Sequence, residues 1–178
     1  FSPQSKAPEL FRVIDDGLVE LRKLSVDQSS AMGDSKIETE GILTSRKELL
    51  LSLRNVARAA KFIAISSPRF DEPFQLPTGT SDTAVLYAAR QFVEKARPVR
   101  AVFLQFALPS DFIEALEKKI EALERAIQKR KDVDAAQMKA TSAIDTAIKR
   151  RMQAVQQLNV IAANTLHNNR SEEHTSEL

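Results

Sequence analysis

The 178-residue chain contains no cysteine, no tryptophan and only two histidines. Without cysteine it has no disulfide bond, no thiolate nucleophile and no cysteine ligand for a metal. A serine triad also needs a base, which is usually histidine, and His167 and His174 both lie near the end of the printed chain. No Glu-x-x-His pair, the motif of di-metal helical bundles, occurs before them. We therefore predict no catalytic residue, no cofactor and no metal site.

Long apolar runs are missing as well. The longest, AVFLQFAL, is interrupted by Gln105 and is far shorter than the ~18 residues of a membrane-spanning helix. We predict no membrane association. The absence of cysteine fits a reducing compartment, so we predict a cytoplasmic protein. The chain starts at Phe1 rather than at a methionine, and we expect it to be truncated at both ends.

Glycine is scarce, with four residues in the chain, whereas helix-forming residues are abundant. Apolar residues recur three and four positions apart over most of the sequence, which is the spacing of amphipathic helices. The length suits one domain. These features predict an all-α fold, arranged as an antiparallel bundle of four to five helices.

The predicted helix boundaries depend on a few short stretches. The glycine and small polar residues of SSAMGDSK predict a first break, and Pro98 predicts a kink in the third helix. The last break, at Lys131–Asp134, depends only on cations at a helix C-terminus and an aspartate N-cap. The alternative is one helix over 111–166, about 80 Å long and too long for the other segments to cover. The five predicted segments are 8–30, 35–65, 82–107, 111–131 and 134–166.

Residues 66–81, SSPRFDEPFQLPTGTS, contain three prolines and one glycine and predict a loop. Its apolar residues Phe70, Phe74 and Leu76 are expected to pack on the bundle. One glycine without a following lysine does not make a phosphate-binding loop. We interpret the end of the segment as a helix entry, with Ser81 as the N-cap and Asp82 in the first turn.

Charged residues form three noticeable groups. Glutamates at helical spacing, interleaved with lysine and arginine, predict a solvated, salt-bridged face rather than a metal site; they are Glu114, Glu117, Glu121 and Glu124. Two basic clusters are candidate contacts for nucleic acid or a partner protein, although no aromatic residues for base stacking lie among them. They are Lys129, Arg130 and Lys131, and Lys149, Arg150 and Arg151.

The last nine residues, RSEEHTSEL, resemble a one-frame translation of a widely used sequencing adapter. Only Leu178 is apolar after Asn169, so the helical pattern ends before this stretch. We predict that residues 170–178 are a non-native tail and that residues 1–169 form a single domain. Leaving out the one basic and three acidic residues of the tail raises the net charge from +2 to +4, which is too low to indicate a dedicated nucleic-acid binder.

Residues 10–169 resemble a group of uncharacterised bacterial all-helical proteins. The resemblance covers the proline-glycine loop before "SD", the "AAR-F" helix in AARQF, the "LP-DF" turn in LPSDF and the late segment AIDTAI. These motifs belong to loops and to helix packing. The resemblance therefore implies a helical domain and a bacterial source, and it implies no activity.

Three hypotheses for function follow. The first is a non-enzymatic helical bundle that acts through protein contacts or as a homo-oligomer, because the helices are amphipathic and no catalytic constellation is present. The second is weak nucleic-acid binding through the two basic clusters. The third is an enzyme or small-ligand bundle with a polar pocket between its helices.

Overall fold

A computed structural model describes residues 5–79 and 81–175, with side chains up to His167. Every regular element in this part of the chain is helical, which confirms the all-α prediction. The α-helices are α1 (Ala7–Ala64), α2 (Asp82–Ala96), α3 (Arg100–Gln105) and α4 (Phe112–Thr175). Two 3-10 segments, Glu72–Phe74 and Arg97–Val99, lie between them.

The predicted number of helices is wrong, because only three helices in the described residues are longer than two turns. The break expected in SSAMGDSK does not occur, and α1 continues through Gly33. A glycine inside a helix costs about 1 kcal/mol relative to alanine but does not end it. The nearby hydroxyls also find acceptors within the helix, since Ser29 Oγ donates to the Ser25 carbonyl at 3.0 Å and Thr39 Oγ1 to the Ser35 carbonyl at 2.8 Å.

The break expected at Lys131–Asp134 is wrong as well, since α4 continues through these residues. No proline or glycine interrupts the backbone hydrogen bonds there. The charged side chains by themselves do not end the helix. The argument from length also fails. With 58 residues, α1 has a contour of about 87 Å and is comparable to the 64-residue α4.

Around Pro98 the α-helical pattern changes. Helix α2 ends at Ala96, the 3-10 segment Arg97–Val99 follows, and α3 begins at Arg100. Proline has no N–H to donate, and a 3-10 turn next to it closes the shorter hydrogen-bonded ring, with the Arg100 N–H donating to the Arg97 carbonyl. The predicted bend at this position stays a prediction.

The chain divides into two compact units. Unit 1 comprises the chain up to Gly33 together with the chain from Asp134 onward, and unit 2 comprises Asp34–Val133. The boundaries fall within α1 and within α4. The predicted non-native tail, residues 170–178, lies outside the residues whose side chains are described.

Unit 2 holds the apolar core. Helices α1, α2, α3 and α4 all contribute buried side chains to it. Phenylalanine rings pack against one another in it, and the Phe74 ring lies edge-on to Phe92 at 5.5 Å and to Phe103 at 5.2 Å between ring centroids. Among the loop residues expected to pack, Phe74 is buried and Phe70 is half-buried against the core, whereas Leu76 is exposed.

The entry to α2 follows the prediction. The Ser81 hydroxyl accepts a hydrogen bond from the Ala84 N–H at 3.2 Å, as an N-cap does. Asp82 lies in the first turn and forms an ion pair with Arg46 of α1 at 3.3 Å. The proline-rich segment therefore closes the core of unit 2 and begins the next helix.

Unit 1 contains the N-terminal part of α1 and the C-terminal part of α4, and it buries few side chains. The buried residues of α4 are small or polar, namely Ala147, Arg151 and Ala154. The larger residues Ile148, Val155 and Leu166, which belong to the apolar repeat in the sequence, are exposed. Other large residues of α4, such as Ile144, Leu158 and Ile161, are half-buried. This segment of α4 therefore buries small side chains fully and large apolar ones only in part.

Candidate functional site

The first predicted basic cluster lies in unit 2, and its three residues differ in their surroundings. Lys129 and Lys131 are exposed. Arg130 is half-buried against α1, where its Nη1 donates to the Ser35 carbonyl at 2.7 Å and to the Thr39 hydroxyl. Only the two lysines of this cluster therefore present an exposed side chain to a partner.

The second basic cluster, in unit 1, divides in the same way. Lys149 and Arg150 are exposed, whereas Arg151 is 9% exposed and is the one charged residue in the buried class among those described. Its Nη2 donates to Glu20 Oε2 at 3.2 Å. Its Nε and Nη1 are buried without a hydrogen-bond partner. A buried donor without a partner costs stability.

Gly17 explains how a guanidinium fits between the two helices of unit 1. A Cβ at this position would lie 1.9 Å from Arg151 Nε and 2.5 Å from Cζ, well inside van der Waals contact. Only glycine leaves the space that the arginine occupies. Gly17, Glu20 and Arg151 therefore form one contact that fixes which residues of α1 and α4 face each other, and the sequence interpretation missed it.

A row of ion pairs crosses the surface of unit 2 from α2 and α3 to α4. It pairs Arg90 with Glu124, Arg97 with Glu117, and Arg100 Nη1 with Glu114 Oε1, the last at 2.8 Å. Three of the four glutamates expected to form a salt-bridged face do so, Glu121 being the exception, and their partners come from the helical segments before α4 rather than from positions i+4. A cavity of about 560 Å³ runs beside Arg90, Arg97, Glu117 and Glu124.

The pKa of Glu114 lies below its ordinary value. Its carboxylate accepts a hydrogen bond from its own backbone N–H in the first turn of α4, which favours the charged form most. The Arg100 guanidinium adds a side-chain hydrogen bond and a favourable charge. Each arginine of the row has a carboxylate partner. The row therefore joins helical segments of unit 2, and its charges are already paired within the protein.

Eleven of the twenty large apolar side chains that are exposed among the described residues belong to unit 1, the smaller of the two units. We call this set the unit-1 apolar surface. Beside it, a groove of about 310 Å³ runs between Leu21 of α1 and Ile148, Met152 and Val155 of α4, next to Arg151. The unit-1 apolar surface consists of Phe11, Leu18, Val19, Val26 and Met32 on α1, and Met138, Ile148, Met152, Val155, Val160 and Leu166 on α4.

The described residues contain no group of three or more histidine, aspartate or glutamate side chains placed to hold a metal ion. His167 is exposed on α4, and the side chain of His174 lies outside the described part. Within that part, no helix is both long enough and apolar enough to cross a membrane.

Comparison of the chain with protein-family models, with curated proteins and with solved structures found no match. The family resemblance described above therefore stays a prediction.

Proposed function

We propose that the protein acts by binding other proteins through the unit-1 apolar surface. One observation carries this proposal: eleven large apolar side chains of unit 1 are exposed on two helix segments. Single exposed apolar residues are common on soluble proteins, but contiguous patches mark surfaces that bind partners. A partner protein could bury these side chains by packing the apolar face of an amphipathic helix against them.

The thinness of unit 1 supports the same conclusion. Its described segments supply only two helices, and several of their buried residues are small, as at Gly17, Ala147 and Ala154. A pair of helices covers only one face of each, and large apolar side chains such as Val19 and Val160 are left mostly exposed. Unit 2 also exposes some large apolar residues, but it has a core of buried ones.

An antiparallel course of α1 and α4 belongs to the proposal, together with a bend at Pro98. In unit 1, Gln28 contacts Thr141 and Glu20 contacts Arg151, so numbers fall along α1 as they rise along α4. The 3-10 segment around Pro98 supports the bend. The same order of contacts occurs in unit 2, in the pairs Ser52–Lys119 and Ser35–Arg130.

Several expectations from the sequence complete the proposed picture. They are a single domain over 1–169, a non-native tail over 170–178, a cytoplasmic location and membership of the bacterial helical group. The chain length, the resemblance of the tail to an adapter translation, the absence of cysteine and the motifs quoted above support them in turn.

The two other hypotheses have less support. Nucleic-acid binding would have to depend on Lys129, Lys131, Lys149 and Arg150, because Arg130 and Arg151 are engaged with α1. A polar ligand pocket would have to use the groove beside the unit 2 ion pairs, whose arginines already have carboxylate partners. Protein contact therefore agrees better with where the exposed groups lie.

Site-specific photo-crosslinking in the native cell tests the proposal. A photoreactive residue replaces Val160, which is exposed on α4 in unit 1, and a matched chain carries it at Lys95, which is exposed on α2 in unit 2. We expect protein adducts, with a second copy or with another protein, from position 160 and few from position 95. Equal adduct formation from both positions, or none from position 160, would contradict the proposal.

A further inference from the structure

One stripe of α1 in unit 1 has a pattern that complements itself. It contains Phe11, Asp15, Leu18, Val19, Arg22 and Val26, all of them exposed. At 3.6 residues per turn these six positions fall within an arc of roughly 100° on the helix. The side of α1 that packs on α4, where Gly17 adjoins Arg151, is a different one. We call these six residues the α1 stripe.

The α1 stripe has the same spacing of apolar and charged residues on both sides of its centre. Leu18 and Val19 lie on either side of the centre. Asp15 and Arg22 are next, equally far from it, and carry opposite charges. Phe11 and Val26 follow at equal distances and are apolar. A helix with this order can pair with an antiparallel copy of itself, because each residue then faces its counterpart across a two-fold axis.

From this pattern we propose that a second copy of the chain binds the α1 stripe, with the two α1 helices antiparallel and the two-fold axis between Leu18 and Val19. The inference rests on the proposed function and names the partner. Charge complementarity selects a second copy: Asp15 of each chain faces Arg22 of the other, so one dimer contains two such ion pairs. Neither residue makes an ion pair within the described chain.

The packing of apolar residues agrees with this register. Phe11 faces the partner's Val26, and Leu18 faces the partner's Val19, so a large and a smaller side chain meet in each layer, as in antiparallel helix pairs. Each ion pair lies between the central apolar residues and an outer apolar residue of the stripe. They fix the register and orientation of the pair more than they add affinity.

The size of the contact sets its strength. Sixteen residues, from Phe11 to Val26, extend about 24 Å along the helix, and a helix is about 10 Å wide. The footprint is therefore roughly 240 Å² per copy, well below the ~800 Å² per partner of a standard interface. We expect reversible association in the micromolar range or weaker rather than a permanent dimer.

Sedimentation equilibrium at low salt, from micromolar to near-millimolar chain concentration, tests the proposal on the full chain. The wild type is expected to approach twice the monomer mass. Asp15→Arg and Arg22→Asp each place like charges opposite each other twice and should weaken the dimer about tenfold or more. An equal mixture of the two variants should associate again, because every charge then meets its opposite. Native mass spectrometry should identify the product as the mixed dimer.

Asp16→Arg and Lys23→Asp are the matched controls. They make the same charge changes as Asp15→Arg and Arg22→Asp, but each lies one residue further along α1 and outside the α1 stripe. They should associate like the wild type, and circular dichroism should show unchanged helix content in all variants. A monomeric wild type at every concentration overturns the proposal, as do equal affinities for the stripe variants and the controls. Neither result bears on cross-linking from Val160, which lies on α4, so failure of this inference and failure of the proposed function are distinguishable.

Discussion

Replacing Gly17 by alanine tests the contact on which unit 1 depends. The new Cβ would lie 1.9 Å from Arg151 Nε and 2.5 Å from both Cζ and Nη2. Nonbonded heavy atoms do not approach so closely, so the guanidinium would have to move. Arg151 is buried against α1, and movement would separate it from Glu20. The substitution is therefore expected to destabilise the protein, although alanine is the better helix former.

The net effect combines opposing contributions. Glycine to alanine inside a helix stabilises by about 1 kcal/mol. Overpacking a closed site costs roughly 1–3 kcal/mol. The Arg151–Glu20 ion pair adds little, about 0–1 kcal/mol, because the Glu20 side chain is 57% exposed and screened by solvent. We expect Gly17→Ala to lower the free energy of unfolding by about 1–2 kcal/mol.

A double-mutant cycle that combines Gly17→Ala with Arg151→Ala measures the steric conflict between the Cβ at position 17 and the Arg151 guanidinium. Once the guanidinium is gone, the new Cβ at position 17 has room, and Gly17→Ala should then stabilise by about 1 kcal/mol. The two backgrounds should thus differ by about 2–3 kcal/mol, which is a coupling typical of residues in direct contact. Urea denaturation followed by far-ultraviolet circular dichroism measures all four proteins.

Gly33 provides the matched control in the same helix. A Cβ there would meet no atom within 4 Å, so Gly33→Ala should stabilise by about 1 kcal/mol whether or not Arg151 is present. The reasoning is refuted if Gly17→Ala stabilises the otherwise unchanged protein as Gly33→Ala does, since the close approach of Arg151 would then not exist in solution.

Three further predictions concern unit 2. Ala107 has φ 58°, a left-handed conformation that glycine adopts without strain, so Ala107→Gly should raise the free energy of unfolding by about 0.5–1 kcal/mol in urea denaturation. Ser81→Ala removes the α2 N-cap and should cost about 1 kcal/mol in the same assay, whereas Ser81→Asn should change it little. Because the pKa of Glu114 is lowered in the folded protein, its stabilising contribution is present above the ordinary carboxyl pKa and is lost as pH falls through the lowered value. In an NMR titration, Arg100→Gln should raise that pKa only partway, because the Glu114 backbone N–H still donates to the carboxylate.

Much of the local structure could be predicted from the sequence, and the reasons are physical. Helix content follows from composition and from apolar spacing. The entry to α2 could be predicted because Ser81 and Asp82 act on the backbone next to them. Burial of Phe74 could be predicted because a large ring in a loop beside amphipathic helices has a core within reach. Each of these features depends on residues close together in the chain.

The predicted breaks in α1 and α4 were wrong as helix ends, yet their positions carry information. They coincide with the boundaries between the two units, which lie at Gly33 and Asp134. Around the first of them the half-buried positions of α1 are small or polar, as at Gln28, Ala31 and Ser35. Small and polar residues thus mark the part of the helix where few large apolar side chains are buried. Ending a helix requires a change of backbone conformation instead. No glycine in the described chain has positive φ.

The two basic clusters show how the spacing of a helix separates engaged cations from exposed ones. Arg151 continues a three-and-four repeat that runs through Ile144, Ala147, Ala154 and Leu158, all of them buried or half-buried. An arginine at such a position faces the neighbouring helix whatever charges flank it in sequence.

Arg130 occupies the corresponding place after Leu123 and Ile127, and it reaches the Ser35 carbonyl of α1. Lys129 and Lys131 lie outside this repeat and are exposed. The same is true of Lys149 and Arg150, which precede Arg151. Charge clustering alone had grouped all six residues as one kind of contact. Position in the helical repeat divides them into two cations that hold helices together and four that face solvent. That division required knowing that α4 is a single helix, because a break near Lys131 would have reset the repeat between the two arginines.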